Sequence, residues 1–157
     1  MLMTKHVDDL KAGGPRDQIV RIYKGIERVF GEMKLNWNSF TNCGVKHTQC
    51  PRTKEITLDQ NHYVQTLRPI SHVQLSEGNA EDLADPSLHR LYMSLLGAVA
   101  YLSHARPDVS VFVCALQRHN AKPKVEHVKK LNRVLRWLQR HPRKLVYRPR
   151  SSAQMHL

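Results

Sequence analysis

The chain has 157 residues, of which 41% are hydrophobic, and a formal net charge of +12 at pH 7. This length is enough for one domain or for two small pieces of a larger one, and the hydrophobic share excludes a chain that is disordered by composition. The charge is uneven, because residues 118–150 contain 12 Lys or Arg and one acidic residue, a net of 12 − 1 = +11. Such a basic segment predicts a polyanionic partner.

Cysteine usage and hydropathy bear on the compartment. The three cysteines form no Cys-x-x-Cys pair, which indicates a reduced environment. Residues 1–3 lack the shape of a secretion signal, and no apolar run approaches the ~18 residues of a membrane span. We therefore expect an intracellular protein, cytoplasmic or nuclear, that is not secreted and has no membrane partner.

The first third of the chain predicts short strands around one helix. Residues 2–10 fit two short strands joined by a tight turn at Asp8 and Asp9, and the Gly-Gly-Pro at 13–15 ends them. Apolar residues then recur at spacings of three and four from position 19 to position 33. That spacing predicts an amphipathic helix.

Two further short strands are predicted around Phe40 and Ile56, with residues 51–53 as the loop between them. Gly44 is placed inside the first of these strands, where a glycine is typical of a bulge or a close backbone approach. Asp59 is predicted to cap a short helix that ends near Pro69.

The remainder of the chain predicts a linker followed by helices. Residues 71–86 have weak periodicity and many small or acidic residues, so we expect an internal linker there. Residues 87–148 are predicted to be mainly helical, with a last short strand at 145–147. The segment 149–157 has no periodicity and is predicted to be a loose tail.

The last predicted helix, from about residue 125 to residue 140, separates an apolar side from a basic side. The basic residues are Lys129, Arg133, Arg136 and Arg140. None has an acidic residue four positions away, and like charges on one face cost stability. A solvated surface helix is the plainer interpretation, but the uncompensated charge favours contact with phosphate groups. His119 and His127 lie among basic residues and are predicted to join this surface.

Several short motifs also follow one another in a characteristic order. Residues 6–10 read His-Val-Asp-Asp-Leu, and residues 43–45 read Cys-Gly-Val. The most specific stretch comes later, with YMSLLGAVAYL at 92–102, RPDV at 106–109 and RVLRWL at 133–138. In this order and spacing, the series resembles the reverse transcriptases of copia-type long-terminal-repeat retrotransposons. The resemblance covers roughly residues 6 to 148, and its downstream part is much more specific than the Val-Asp-Asp turn.

The resemblance implies an α+β fold, with a partial palm of short β-hairpins plus one helix, followed by a mainly helical thumb and connection region. In these terms 1–70 is the C-terminal part of the palm, 71–86 a linker and 87–148 the thumb and connection. The implied partners are a template–primer duplex of RNA or DNA, together with the upstream palm and fingers and the downstream ribonuclease H parts of a Pol polyprotein.

The resemblance also implies part of a nucleotidyltransferase site, in which two Mg²⁺ ions clamp the attacking and leaving oxygens. Asp8 is then a direct metal ligand, and Asp9 a weaker or water-mediated one. The family takes a third carboxylate from an upstream strand that this chain lacks. We therefore expect the chain to bind Mg²⁺ weakly and to extend no primer by itself.

Two other functions stay open. A basic helical region is also typical of a nucleic-acid-binding module without catalysis, in which Asp8→Asn leaves binding intact. Alternatively, Leu95, Leu96 and Val99 indicate helix pairing in a structural or interaction protein. Trp37 and Trp137 are interpreted first as packing residues, with base stacking as the alternative for either.

Overall fold

The computed structural model describes residues 1–6 and 9–149, which contain both helices and antiparallel strands. The predicted α+β class is therefore confirmed. The strands are β1 (Leu2–His6), β2 (Asp9–Gly13), β3 (Ser39–Asn42), β4 (Val45–Gln49), β5 (Ile56–Asp59) and β6 (Leu145–Tyr147). The helices are α1 (Arg16–Phe30), α2 (Asn61–Thr66), α3 (Val73–Glu77), α4 (Pro86–Tyr101), α5 (Ser110–Gln117) and α6 (Val125–Arg140), with 3₁₀ turns at Leu102–His104 and Pro107–Val109.

Within residues 1–5 and 9–30, which contain most of the first two strands and all of α1, no side chain is buried. β1 and β2 pair antiparallel, with Leu2 opposite Gly13. No residue of α1 is buried, and at its C-terminal end Val29 and Phe30 are 74% and 78% exposed. The amphipathic pattern correctly predicted this helix, but among the described residues its apolar side is at most half-buried.

The other four strands form one antiparallel sheet in the order β3-β4-β5-β6. Cys43 and Gly44 make the tight turn between β3 and β4, with φ angles of 47° and 68°. The prediction that Gly44 lies inside a strand was therefore wrong, because the glycine supplies the positive φ that a two-residue hairpin turn requires. The Tyr101 hydroxyl donates to the Cys43 carbonyl and so connects this turn to α4.

The hydrophobic core lies in the helical part of the chain. α4 and α6 contribute most of it, and α2 and α5 pack beside them. The hydroxyl of Tyr92 donates to the Leu116 carbonyl at 2.7 Å, and burial raises the pKa of Tyr92 to about 12. The fully enclosed core residues include Leu88, Leu96, Val99, Val109, Val125, Leu131, Leu135 and Leu138.

The segment 71–86, predicted as a linker, contains α3 and hydrogen-bonds to the start of α6. The Val125 amide donates to the Asp82 carbonyl at 2.9 Å, and the Ala84 amide donates to the Pro123 carbonyl at 2.8 Å. At its end Asp85 caps α4 by accepting from the backbone of the first turn. These hydrogen bonds hold the pKa of Asp85 below its usual range.

α2, which falls within the predicted palm segment 1–70, packs on the helical core. Val64 is buried in that core, and the Gln139 amide of α6 donates to the Leu67 carbonyl at 2.9 Å. In the part of the chain that the structure describes, no helix is both long and apolar enough to cross a membrane. Residues 150–157, which make up most of the predicted tail, lie outside the described residues.

Candidate nucleic-acid interface

α6 is held firmly enough to present a fixed outer face. Its apolar residues enter the core, where Leu131, Leu135 and Leu138 are fully buried. At its N-terminus the Lys124 amide donates to Nδ1 of His127 at 2.9 Å, which satisfies one backbone group that a helix start leaves open. The clean separation of apolar and polar positions, visible in the sequence, thus decides which side of α6 faces outward.

The predicted basic residues lie together on that outer side. Arg133, Arg136 and Arg140 are exposed, whereas Lys129 is half-buried. None of the four has a carboxylate oxygen within 4.0 Å among residues 1–6 and 9–149. The structure therefore brings together all four residues that the sequence predicted for phosphate contact. We call Lys129, Arg133, Arg136 and Arg140 the basic face.

Other basic residues of the last quarter of the chain do have acidic partners. Lys130 pairs with Glu126 at 2.7 Å, Lys144 with Asp59 at 3.4 Å and Arg148 with Glu55 at 3.0 Å. Because those charges are offset within the chain, the basic face carries much of the uncompensated positive charge of this region.

A groove runs between the basic face and the segment before and within α3. Its volume is about 540 Å³. Asn132, which is only 5% exposed, fixes the opposite wall: its side chain accepts from the Ile70 amide at 2.8 Å and donates to the Ile70 carbonyl at 2.9 Å. The groove is therefore preformed, with Lys129, Arg133 and Arg136 along one side.

His127 is buried against the ring of His119 instead of lying on this surface. The two rings stack on each other with centroids 3.7 Å apart, and His127 is 5% exposed. Burial, with the adjacent His119, holds the pKa of His127 below its usual range. The prediction that His127 joins the phosphate-facing surface was wrong, since its ring serves the start of α6 instead.

A buried ion pair fixes the end of α6. Arg106 is 2% exposed, and its guanidinium donates twice to the Asp108 carboxylate, at 2.9 and 3.0 Å. Its remaining nitrogen donates to the His141 carbonyl at 3.0 Å. These bonds hold the pKa of Asp108 below its usual range. The Arg-Pro-Asp motif thus joins the turn before α5 to the residue that ends α6, which sequence spacing did not reveal.

Of the two carboxylates predicted to bind Mg²⁺, the structure describes one. Asp8 lies outside the described residues, whereas Asp9 is exposed and begins β2, opposite His6. No group of three or more His, Cys, Asp or Glu side chains suited to a metal is found among the described residues. Mg²⁺ requires near-octahedral oxygen coordination. Among the described residues, Asp9 is the one carboxylate of the pair predicted to bind Mg²⁺, an ion that usually takes one or two carboxylates.

A serine, a histidine and an aspartate meet at the start of α4, although nothing in their sequence spacing indicated it. The Gln74 amide donates to Nδ1 of His72 at 3.2 Å, so Nε2 carries the proton toward Ser87 Oγ at 2.8 Å. Ser87 Oγ in turn donates to Asp85 at 2.7 Å. In a nucleophilic triad the histidine lies between the other two residues and accepts the serine proton. Here the serine lies between them, so the cluster caps the helix.

No protein-family model, curated protein or solved structure matches the chain.

Proposed function

We propose that this chain is part of a copia-type retrotransposon reverse transcriptase, in which the helical region holds the template–primer duplex through its phosphate backbone. The observation that carries the proposal is the basic face: three exposed arginines on one side of a well-anchored helix, without carboxylate partners among the described residues. A guanidinium donates two parallel hydrogen bonds to a phosphate, which suits such a face to nucleic acid.

The shape of the surface favours backbone contact over reading of bases. Phosphate contacts position a protein on a duplex without selecting a sequence, whereas sequence is read at base edges in the grooves. The basic face lines an open groove with a fixed wall, and α6 is packed into the core along its other side. A polymerase that copies any template needs to bind the duplex in this way, independently of its sequence.

Under this proposal Asp8 and Asp9 belong to the metal-binding site of the polymerase, a role that only the resemblance to the family supports. An intracellular location, where such elements replicate, is part of the same proposal. It agrees with three cysteines that form no disulfide, two of which, Cys43 and Cys114, are exposed.

A nucleic-acid-binding module without catalysis is the second candidate. It is favoured because α6 and the elements that anchor it form a core of their own, while Asp9 lies in a separate two-stranded sheet. The two candidates differ in their response to Mg²⁺. If Mg²⁺ stimulates binding of a template–primer and Asp9→Asn abolishes that stimulation, the polymerase site is supported. If neither Mg²⁺ nor Asp9→Asn changes the binding, the module without catalysis is supported.

The test of the proposed backbone contact is equilibrium binding of the chain to blunt duplexes of unrelated sequence at several salt concentrations. Three phosphate contacts predict that log K falls by about 2.7 per log unit of salt on duplex DNA, from roughly 0.9 per contact. We expect slopes of at least this size and affinities that agree within a few-fold among sequences. Binding that ignores salt, or that strongly prefers one sequence, contradicts the proposal.

A further inference from the structure

The end of α6 carries a second, smaller pocket that shares Arg133 and Arg136 with the groove. Its volume is about 300 Å³, at the lower limit of the roughly 300–1,000 Å³ typical of small-molecule sites. An aromatic pair, Trp137 and His141, lies among three arginines of the basic face: the lining is Arg133, Arg136, Trp137, Arg140 and His141.

The aromatic pair is stacked and fixed in place. The two ring centroids are 5.2 Å apart, with an angle of 27° between the planes. Nδ1 of His141 lies 2.8 Å from the Trp137 carbonyl, and the His141 backbone amide donates to the same oxygen at 3.0 Å. Because a carbonyl only accepts, Nδ1 carries the ring proton, and in the neutral ring Nε2 is an acceptor.

The buried Arg106 contacts both residues of the aromatic pair from the inner side of the pocket. Its guanidinium carbon lies 5.4 Å from the centre of the Trp137 ring, and it donates to the His141 carbonyl at 3.0 Å. Trp137 is half-buried and packs against the hydrophobic core. A ligand therefore meets rings that are already ordered, so little side-chain freedom is lost when it binds.

Aromatic rings interleaved with cations are the surface that single-stranded nucleic acid requires. An unpaired base stacks on an aromatic ring while the cations hold its backbone, and this works for every base because each has a π face. In a blunt duplex the bases are already stacked within the helix and are not available to such a pocket.

We propose that the pocket formed by Trp137 and His141 holds one unpaired nucleobase of a single-stranded segment adjoining the duplex, with the neighbouring arginines on its phosphates. The inference rests on the proposed binding of the duplex backbone. It adds that the chain prefers a junction between single strand and duplex. It gives Trp137 the base-stacking role that the sequence left as an alternative to simple packing.

The experiment compares a blunt duplex with the same duplex carrying a short single-stranded overhang. The chain has two tryptophans, so Trp37→Phe leaves Trp137 as the sole indole fluorophore. We expect the overhang substrate to quench Trp137 emission and to bind roughly tenfold more tightly than the blunt one, within the range of stacking one base. The blunt duplex binds without that quenching.

Variants of the pair separate stacking from folding. Trp137→Phe retains much of the overhang preference, whereas Trp137→Leu abolishes it. His141→Ala changes an exposed ring outside the core and is expected to reduce the preference at least threefold. His62→Ala, an exposed histidine on α2, is the matched control and leaves the preference unchanged.

Failure of the pocket inference and failure of the proposed duplex binding give different results. Equal affinity for both substrates with no overhang-specific quenching overturns the pocket inference while leaving the proposed duplex binding intact. If the wild-type chain binds neither substrate, both proposals are overturned. If it binds only the overhang substrate, the pocket is supported and the proposed duplex binding is contradicted.

Discussion

Replacing Arg133, Arg136 and Arg140 together with glutamate is expected to weaken duplex binding by on the order of 100-fold at low salt. The figure corresponds to about 1 kcal/mol for each exposed charge contact, the upper part of the range for surface ion pairs, and phosphate repulsion increases the loss. The three side chains are exposed and lie outside the core, so the fold is retained. The measurement is equilibrium titration with a blunt duplex.

The matched control replaces three arginines outside the basic face with glutamate. Arg21, Arg52 and Arg90 are exposed on α1, on the loop after β4 and on α4, and none has a carboxylate partner among the ion pairs of the described residues. The two triple variants have identical net charge. We expect the control to lose no more than a few-fold in affinity. Equal losses in both variants would show that net charge, and not the basic face, determines binding.

The second large effect concerns the buried Arg106. Asp108→Ala is expected to lower the free energy of unfolding by about 3 kcal/mol, near the lower limit of roughly 3–5 for breaking a buried pair, because Asp108 itself is partly exposed. The arginine then keeps its buried charge with only the His141 carbonyl as partner. Denaturant unfolding followed by circular dichroism provides the measurement.

An exposed ion pair supplies the control for this loss. Glu81 pairs with Lys124 at 2.5 Å, with side chains 73% and 38% exposed. Such pairs contribute little in water, so Glu81→Ala should change the free energy of unfolding by about 0.5 kcal/mol or less. Similar losses for Glu81→Ala and Asp108→Ala would mean that the Arg106 pair contributes no more than a surface pair.

The acid dependence of this pair has a definite sign. The native pKa of Asp108 is held below its usual range, so the ionised form stabilises the fold above the unfolded value of about 3.9. That stabilisation is lost as the pH falls through the native pKa. The difference between wild type and Asp108→Ala should therefore be constant above about pH 5 and shrink in stronger acid.

The helical elements could be predicted because their patterns are local. The spacing of Val128, Leu131, Leu135 and Leu138 fixes both the existence of α6 and its buried side, so the basic face followed from the sequence alone. The α+β class likewise followed from the alternation of short strand and helix patterns. Local periodicity is a strong signal for such elements, because residues three and four positions apart lie on the same face of a helix.

Other features depend on contacts between distant residues. Asn132 and Ile70 are 62 positions apart, yet their paired hydrogen bonds fix the wall of the groove. Arg106 reaches a carbonyl 35 positions away at the end of α6. The composition of segment 71–86 suggested a linker, although its backbone amides and carbonyls bind the start of α6. Such pairings leave no periodic trace in the sequence.

Neutralising the arginines of the basic face without reversing their charge is expected to reduce the salt dependence of duplex binding. Duplex binding is measured between low and moderate salt for the wild type, for Arg133→Gln/Arg136→Gln/Arg140→Gln, and for the same substitutions at Arg21, Arg52 and Arg90. If the three arginines each neutralise one phosphate, the first variant lowers the slope by about 2.7 and the second leaves it unchanged. A slope that the basic-face substitutions leave unaltered contradicts phosphate contact by these arginines.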